Sequence, residues 1–221
     1  AWKVFIDTED KGGFKAMIET GDVQKAINAT AEKRHLDVAR RKEQLLGTNQ
    51  FPNFNEMAAG KIEAQEGKGG CGCEDGENAL NRRRAASDFE ELRLATERSG
   101  KRPKVFMLTI GNLAMRLARA QFSSNFFACA GYEIIDNLGF PTVKEGIDAA
   151  LEKNADIVVI CSSDDEYAEY APEAFRLLDG RAQFVVAGNP ACTDDLKAQG
   201  IENFVHVRSN VLETLQAFNA K

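Results

Sequence analysis

From Lys104 onward the chain alternates between short, almost wholly apolar runs and longer stretches whose apolar residues recur at helical spacing. Lys104-Val105-Phe106-Met107-Leu108-Thr109 is the first such run, the pattern of a strand buried on both faces. Strands are predicted at 104–109, 132–135, 156–161, 183–187 and 203–207, and helices at 113–130, 143–153, 167–178, 194–199 and 211–218. Strict β-α alternation, with turn residues between the elements, implies an α/β fold built on a doubly wound parallel sheet. Five strands of this kind suggest the flavodoxin-like order 2-1-3-4-5, with a ligand crevice between strands one and three.

The pattern before Lys104 is different. Trp2, Phe5 and Ile6 share one helical face, Gly12-Gly13 interrupts it, and Phe14, Met17 and Ile18 begin another. A long helix is expected from Asp22, acting as its cap, to about Gln44, with Val23, Ala26, Ile27, Ala31, Leu36 and Val38 on its apolar side. Arg40, Arg41 and Lys42 are expected in its last turn, where cations complement the helix dipole. The following Leu45–Asn53 segment reads as one brief strand entering a loop. Helices and one strand cannot complete a sheet, because the strand's backbone groups would lack partners. Either the remainder of this unit lies elsewhere, or another chain completes it. A glycine-punctuated polar stretch at about 58–84 is expected to be a linker, followed by a helix capped by Ser87 and running to Gly100. Three units result: 1–57, then linker plus helix over 58–100, then the α/β domain at 101–221.

Composition narrows the functional classes. A net charge of −6 disfavours general nucleic-acid binding, which needs a basic surface. No apolar run approaches the roughly 20 residues of a membrane span. Ala1-Trp2-Lys3-Val4 carries no initiator Met and no leader pattern, and reads as a cut end of a longer protein. Five cysteines are an odd count for a disulfide framework, so reduced thiols and a cytoplasmic location are expected. Cys71-Gly72-Cys73 supplies only two soft ligands, and a flexible linker is the better reading of it than a metal site. Arg82-Arg83-Arg84 reads as a solvated helix start rather than a phosphate clamp.

In an open parallel sheet the chemistry sits on the loops at the carboxyl ends of the strands. After the first strand comes Ile110-Gly111-Asn112-Leu113-Ala114-Met115-Arg116, which has neither G-x-G-x-x-G nor a phosphate loop. It also lacks the acidic residues with which a receiver domain holds a divalent cation. Ser162-Ser163-Asp164-Asp165, Gly188-Asn189-Pro190 and Arg208-Ser209-Asn210 follow the third, fourth and fifth strands. Ser162, Ser163 and Ser209 could meet a nucleotide, but hydroxyls at strand ends also cap helices, and capping is favoured. His206 has no orienting partner in its loop and is read as structural.

Several of these residues also form a familiar pattern. Arg102-Pro103-Lys104-Val105-Phe106 through Gly111-Asn112, with Ala120-Gln121-Phe122, Asn125-Phe126-Phe127 and Ala130-Gly131-Tyr132-Glu133, resembles the C-terminal domain of the methylmalonyl-CoA mutase family, in particular the small, non-catalytic subunits of its bacterial heterodimeric members. Leu46-Gly47-Thr48-Asn49-Gln50-Phe51-Pro52-Asn53 is similar to the family's segment at the end of its (β/α)₈ barrel, which would make 1–57 the tail of a truncated barrel. Cobalamin-binding members carry D-x-H-x-x-G after the first strand, and the matching positions here are Leu113, Met115 and Ala118. The family's S-x-L falls on Ser162, Ser163 and Asp164, and its paired glycines on Ala187 and Gly188.

A thioether cannot replace an imidazole–carboxylate pair as an oriented metal ligand. Leu113 to Ala118 are moreover all strong helix formers where an open loop is required. The resemblance therefore implies no catalytic residue, no metal ligand and no cofactor bound by this chain, with adenosylcobalamin in a catalytic large subunit that is its partner. It also predicts that the helix after the first strand starts at an Asn112 cap and fills the space a cobalamin tail would take. The leading expectation is a structural subunit of a mutase interconverting methylmalonyl-CoA and succinyl-CoA. The alternatives are a regulatory module binding a nucleotide or acyl-CoA in the crevice, and a cobalamin protein with non-histidine ligation.

Overall fold

A computed structural model describes residues 1–60 and 84–220. The first strand, β1 (Lys104–Thr109), lies at the centre of a parallel sheet with β2 (Glu133–Ile135), β3 (Ile157–Cys161), β4 (Gln183–Ala187) and β5 (Asn203–Val205) in the order β2-β1-β3-β4-β5. The register pairs Val105 with Ile157 and Thr109 with Cys161, so β1 and β3 end together at the switch point. The expected topology is the observed one.

Alternation along each strand divides the core in two. Val105, Met107, Val159, Val185 and Ala187 face one side, where they pack with Phe126 and Phe127 of α5 (Leu113–Ala128) and Leu215 of α9 (Val211–Asn219). Phe106, Leu108, Val158, Ile160 and Val186 face the other, against Ile147 of α6 (Val143–Glu152), Ala171 and Leu178 of α7 (Tyr167–Leu178) and Leu196 of α8 (Thr193–Ala198). The contact surface of α6 is tight at Gly146, where a Cβ would overlap the buried Leu108 side chain. The fifth strand stops two residues before the expected Val207, because the His206 N–H turns to the Ser209 hydroxyl at 3.0 Å.

Helix α4 (Ser87–Arg98) packs Phe89 and Leu92 into the core on the α5/α9 side of the sheet and buries Leu94 as well. Ser87 does not cap it: the cap position is Ala86, and no side chain bonds there.

The N-terminal arm consists of α1 (Trp2–Asp10), α2 (Gly13–Glu19) and α3 (Asp22–Ala39). Neither α1 nor α2 buries a residue, and Trp2 stacks on Phe5 at 5.4 Å on an exposed face. Helix α3 ends five residues before the expected Gln44. Its cap position is Gly21, with Asp22 already inside the first turn. Arg41 takes a positive φ of 58°, and Lys42 and Glu43 both donate backbone N–H groups back to Asp37 O. The basic cluster therefore lies beyond the helix rather than in its last turn. Arg41 reaches the α/β domain instead, donating to Asn125 O at 3.1 Å and lying over the Phe126 ring.

The Leu45–Asn53 segment is not a strand. It makes one isolated bridge, Leu46 to Gln50, and is organised by the fully buried Asn49. Its amide donates to Val38 O at 2.8 Å and Glu43 O at 3.0 Å, and its Oδ1 accepts from Leu45 N at 2.7 Å. One polar side chain thus satisfies the backbone groups that a sheet partner would otherwise be needed for. Cys71, Cys73, Arg82, Arg83 and most of the expected linker lie outside the described residues. No described helix is long and apolar enough to cross a membrane.

Candidate functional site

The crevice between the carboxyl ends of β1 and β3 is bounded by Gly111 and Asn112 on one loop and Ser162 to Glu166 on the other. Helix α5 starts directly at Leu113, with the Asn112 side chain accepting from Met115 N at 3.1 Å. Leu113 and Met115 are thus residues of the first helical turn. Both are exposed, as is Ala118 one turn on. The β1–α5 connection is short and coiled, as its residue types predict.

The centre of the crevice is taken by a side chain that loop composition alone did not single out. The Glu166 carboxylate accepts from Ser162 Oγ at 2.5 Å, Ser163 Oγ at 2.7 Å and Ser163 N at 3.2 Å, all on its own loop. It crosses to the other loop as well, accepting from Asn112 N at 3.1 Å. Four donors around one carboxylate favour its charged form, and the two serine hydroxyls contribute most. They hold its pKa down at about 2, against the opposing cost of partial burial. Gly111 permits this approach: its φ is +75°, and a Cβ there would overlap both carboxylate oxygens. The serines expected to cap helices donate to a carboxylate instead.

The flanks of the crevice are closed in the same manner. Arg119, one turn after Arg116 on α5, donates to Asp164 Oδ1 at 2.9 Å. Arg116 donates to Gly111 O at 3.2 Å and Leu138 O at 3.1 Å, so that its guanidinium lies over the bare Cα of Gly139. Gly188, buried after β4, is closely approached, and a Cβ there would lie 3.1 Å from Asp164 Oδ1 and 3.2 Å from the Tyr167 ring. The fully buried Tyr167 joins β3 to β4: its hydroxyl donates to Ala187 O at 2.7 Å and accepts from Ser162 N at 3.1 Å. Burial pushes its pKa far up, which keeps it a neutral donor. At the far end, His206 Nδ1 accepts from Arg208 N, and burial beside Arg208 lowers the imidazole pKa, so the ring is a neutral turn element.

Of the residues singled out beforehand, Ser162 and Gly188 lie at the crevice, with Leu113, Met115 and Ala118 on the adjoining helix. Glu166, Arg116, Arg119 and Tyr167 were missed. The S-x-x-E spacing of Ser163 to Glu166 was the available signal for the first of them. Among the described residues there is no group of three or more His, Cys, Asp or Glu that could hold a metal ion.

Comparison with known proteins agrees with this architecture. The family described as methylmalonyl-CoA mutase matches residues 1–110, from the helical arm into β1. A methylmalonyl-CoA mutase small subunit from Porphyromonas gingivalis (strain ATCC BAA-308 / W83) is 66% identical over all 221 residues. The chain belongs to the methylmalonyl-CoA mutase family. Small subunits of the mutase from Streptomyces virginiae and Propionibacterium freudenreichii subsp. shermanii are 31% and 28% identical, over 88% and 80% of this chain. The chain spans about a third of the length of these relatives: 36%, 31% and 27% respectively.

Within this family a corrinoid would meet the domain at the loop after β1, and the residues there do not fit one. Leu113 and Met115 offer neither imidazole nor carboxylate, and the coil of α5 begins where a pliable loop would be needed. The serine that would meet the nucleotide tail, Ser162, is buried and spends its hydroxyl on Glu166.

Proposed function

We propose that this chain is a non-catalytic part of a heterodimeric, adenosylcobalamin-dependent methylmalonyl-CoA mutase, in which a catalytic large subunit holds the cofactor and interconverts methylmalonyl-CoA and succinyl-CoA. The observation that carries this reading is the self-filled crevice. Glu166, Asp164, Tyr167, Arg116 and Arg119 bond to the serines, to each other and to the loop backbone, so a cofactor tail would have to displace bonds that run from the exposed rim of the crevice to the buried Tyr167 hydroxyl. Each buried group among them left without a partner, such as Ala187 O, costs about 1–3 kcal/mol.

Two apolar surfaces support a role in assembly. In the α/β domain the exposed large hydrophobic side chains are Leu113, Met115, Leu117, Leu138 and Val207, all near the carboxyl ends of the strands. On the arm, Trp2, Val4, Phe5 and Phe14 are also exposed. Surfaces of this kind mark contacts with other protein. On this reading residues 1–57 are the tail of a barrel domain, 58–100 a linker with its helix, and 101–221 a cobalamin-binding-like domain that has lost its ligand set.

The test is co-purification of the full-length protein with the large mutase subunit, followed by a mutase assay with and without it. Corrinoid absorbance of the purified chain is measured in parallel. The expected result is a stoichiometric complex, activity that needs the large subunit, and no corrinoid retained by this chain alone. Activity or a coordinated corrinoid in the isolated chain would overturn the reading. Saturable binding of a nucleotide or acyl-CoA, with no complex formed, would replace it by a regulatory one.

A further inference from the structure

We infer that the loops after β1 and β3 form an oxyanion cradle whose resident anion is the Glu166 carboxylate, and that inorganic phosphate binds there once this side chain is removed. The donors are the Ser162 and Ser163 hydroxyls and the backbone N–H groups of Ser163 and Asn112. They converge from two loops and meet on one carboxylate. Uncharged hydroxyl and amide donors of this kind bind tetrahedral oxyanions in many proteins.

A local capping box explains only part of the arrangement. In S-x-x-E the glutamate bonds back to the N–H of the serine, as Glu166 does to Ser163. Capping accounts neither for the Asn112 N–H, 54 positions away, nor for the bare, positive-φ Gly111 that lets the carboxylate sit against the opposite loop. Those two features belong to a site spanning the crevice. The strong depression of the Glu166 pKa agrees with a pocket that favours negative charge. The side chain therefore acts as a built-in competitor, present at an effective concentration no free ion matches. This inference stands apart from the assembly reading: complex formation can succeed or fail whatever the cradle does.

The test uses the full chain, labelled with ¹⁵N and titrated with inorganic phosphate, for the unaltered protein and for Glu166→Ala and Glu166→Ser. Serine is a good residue at the start of a helix, which keeps the α7 terminus intact should the alanine variant fold poorly. In the unaltered protein the Asn112 and Ser163 amide signals are expected to stay in place. In the variants the same two signals should shift saturably, with affinity at least about tenfold tighter, and sulfate should compete. Equal phosphate affinity with and without Glu166 overturns the inference. So does a variant with native signals elsewhere in which neither amide titrates.

Discussion

Removing a single oxygen atom from the site gives its sharpest test. Tyr167→Phe keeps the ring that fills the space beside Gly188 and deletes only the hydroxyl. That hydroxyl serves two backbone groups at once, donating to Ala187 O at 2.7 Å and accepting from Ser162 N at 3.1 Å. Tyr167 is 0% exposed, and the void left by one oxygen is too small for a water to replace it. Each orphaned buried group costs about 1–3 kcal/mol, so the change should destabilise the domain by about 2–4 kcal/mol. With a urea slope of roughly 2 kcal/mol/M, the unfolding midpoint falls by about 1–2 M. Tyr132→Phe is the internal control. Its equally buried hydroxyl donates at 2.7 Å to Asn219 Oδ1, which Thr96 Oγ1 also approaches at 3.2 Å, so only one bond is lost and the cost is about 1 kcal/mol. Urea unfolding followed by fluorescence compares the two directly. Equal small shifts, or a Tyr167→Phe midpoint within about 0.3 M of the unaltered protein, would refute the claim that the crevice is closed by this hydroxyl.

Further outcomes follow from other contacts. Glu166→Gln should cost about 1–2 kcal/mol at neutral pH, allowing for solvent screening of a half-buried group. Because the folded pKa of about 2 lies below the usual value of 4.5, the carboxylate's stabilisation is fully present above about pH 4.5 and fades as pH falls toward 2. Stability curves of the two proteins should therefore converge in acid, and a constant gap between pH 3 and 7 contradicts the assignment. Gly146→Ala should lower the melting temperature by several degrees: its helix-propensity gain of about 1 kcal/mol is outweighed by roughly 2–3 kcal/mol of overpacking against Leu108 and Phe140. Asn49→Ala should release the Leu45 amide and the 43–50 turn, raising hydrogen exchange there about a hundredfold while β1 and β3 keep their protection.

The sheet was legible in advance because a parallel strand buried on both faces must be apolar at almost every position, whatever surrounds it. Val105 to Leu108 and Ile157 to Cys161 can hardly be anything else. The Asn112 cap was readable for a similar reason: a capping side chain bonds a backbone amide within its own turn, so sequence distance and spatial distance coincide. The end of α3 was not, since it depends on Arg41 taking a left-handed backbone and reaching Asn125, 84 positions away. The segment around Asn49 reads as a strand because apolar residues flank it, whereas one buried amide side chain decides its course.

The hydrophobic pattern alone determined the order of elements, the two-faced core and the place of the crevice, because burial and backbone hydrogen bonding act position by position along the chain. The occupancy of that crevice was decided only by the tertiary structure. Glu166 is one acidic residue among 34 Asp and Glu in the sequence, and nothing in its neighbours says that the opposite loop lacks a Cβ at Gly111 and offers an amide at Asn112. That coincidence arises from the parallel register that brings β1 and β3 to an end side by side, and pairwise contacts between distant loops leave no period in a sequence to be read.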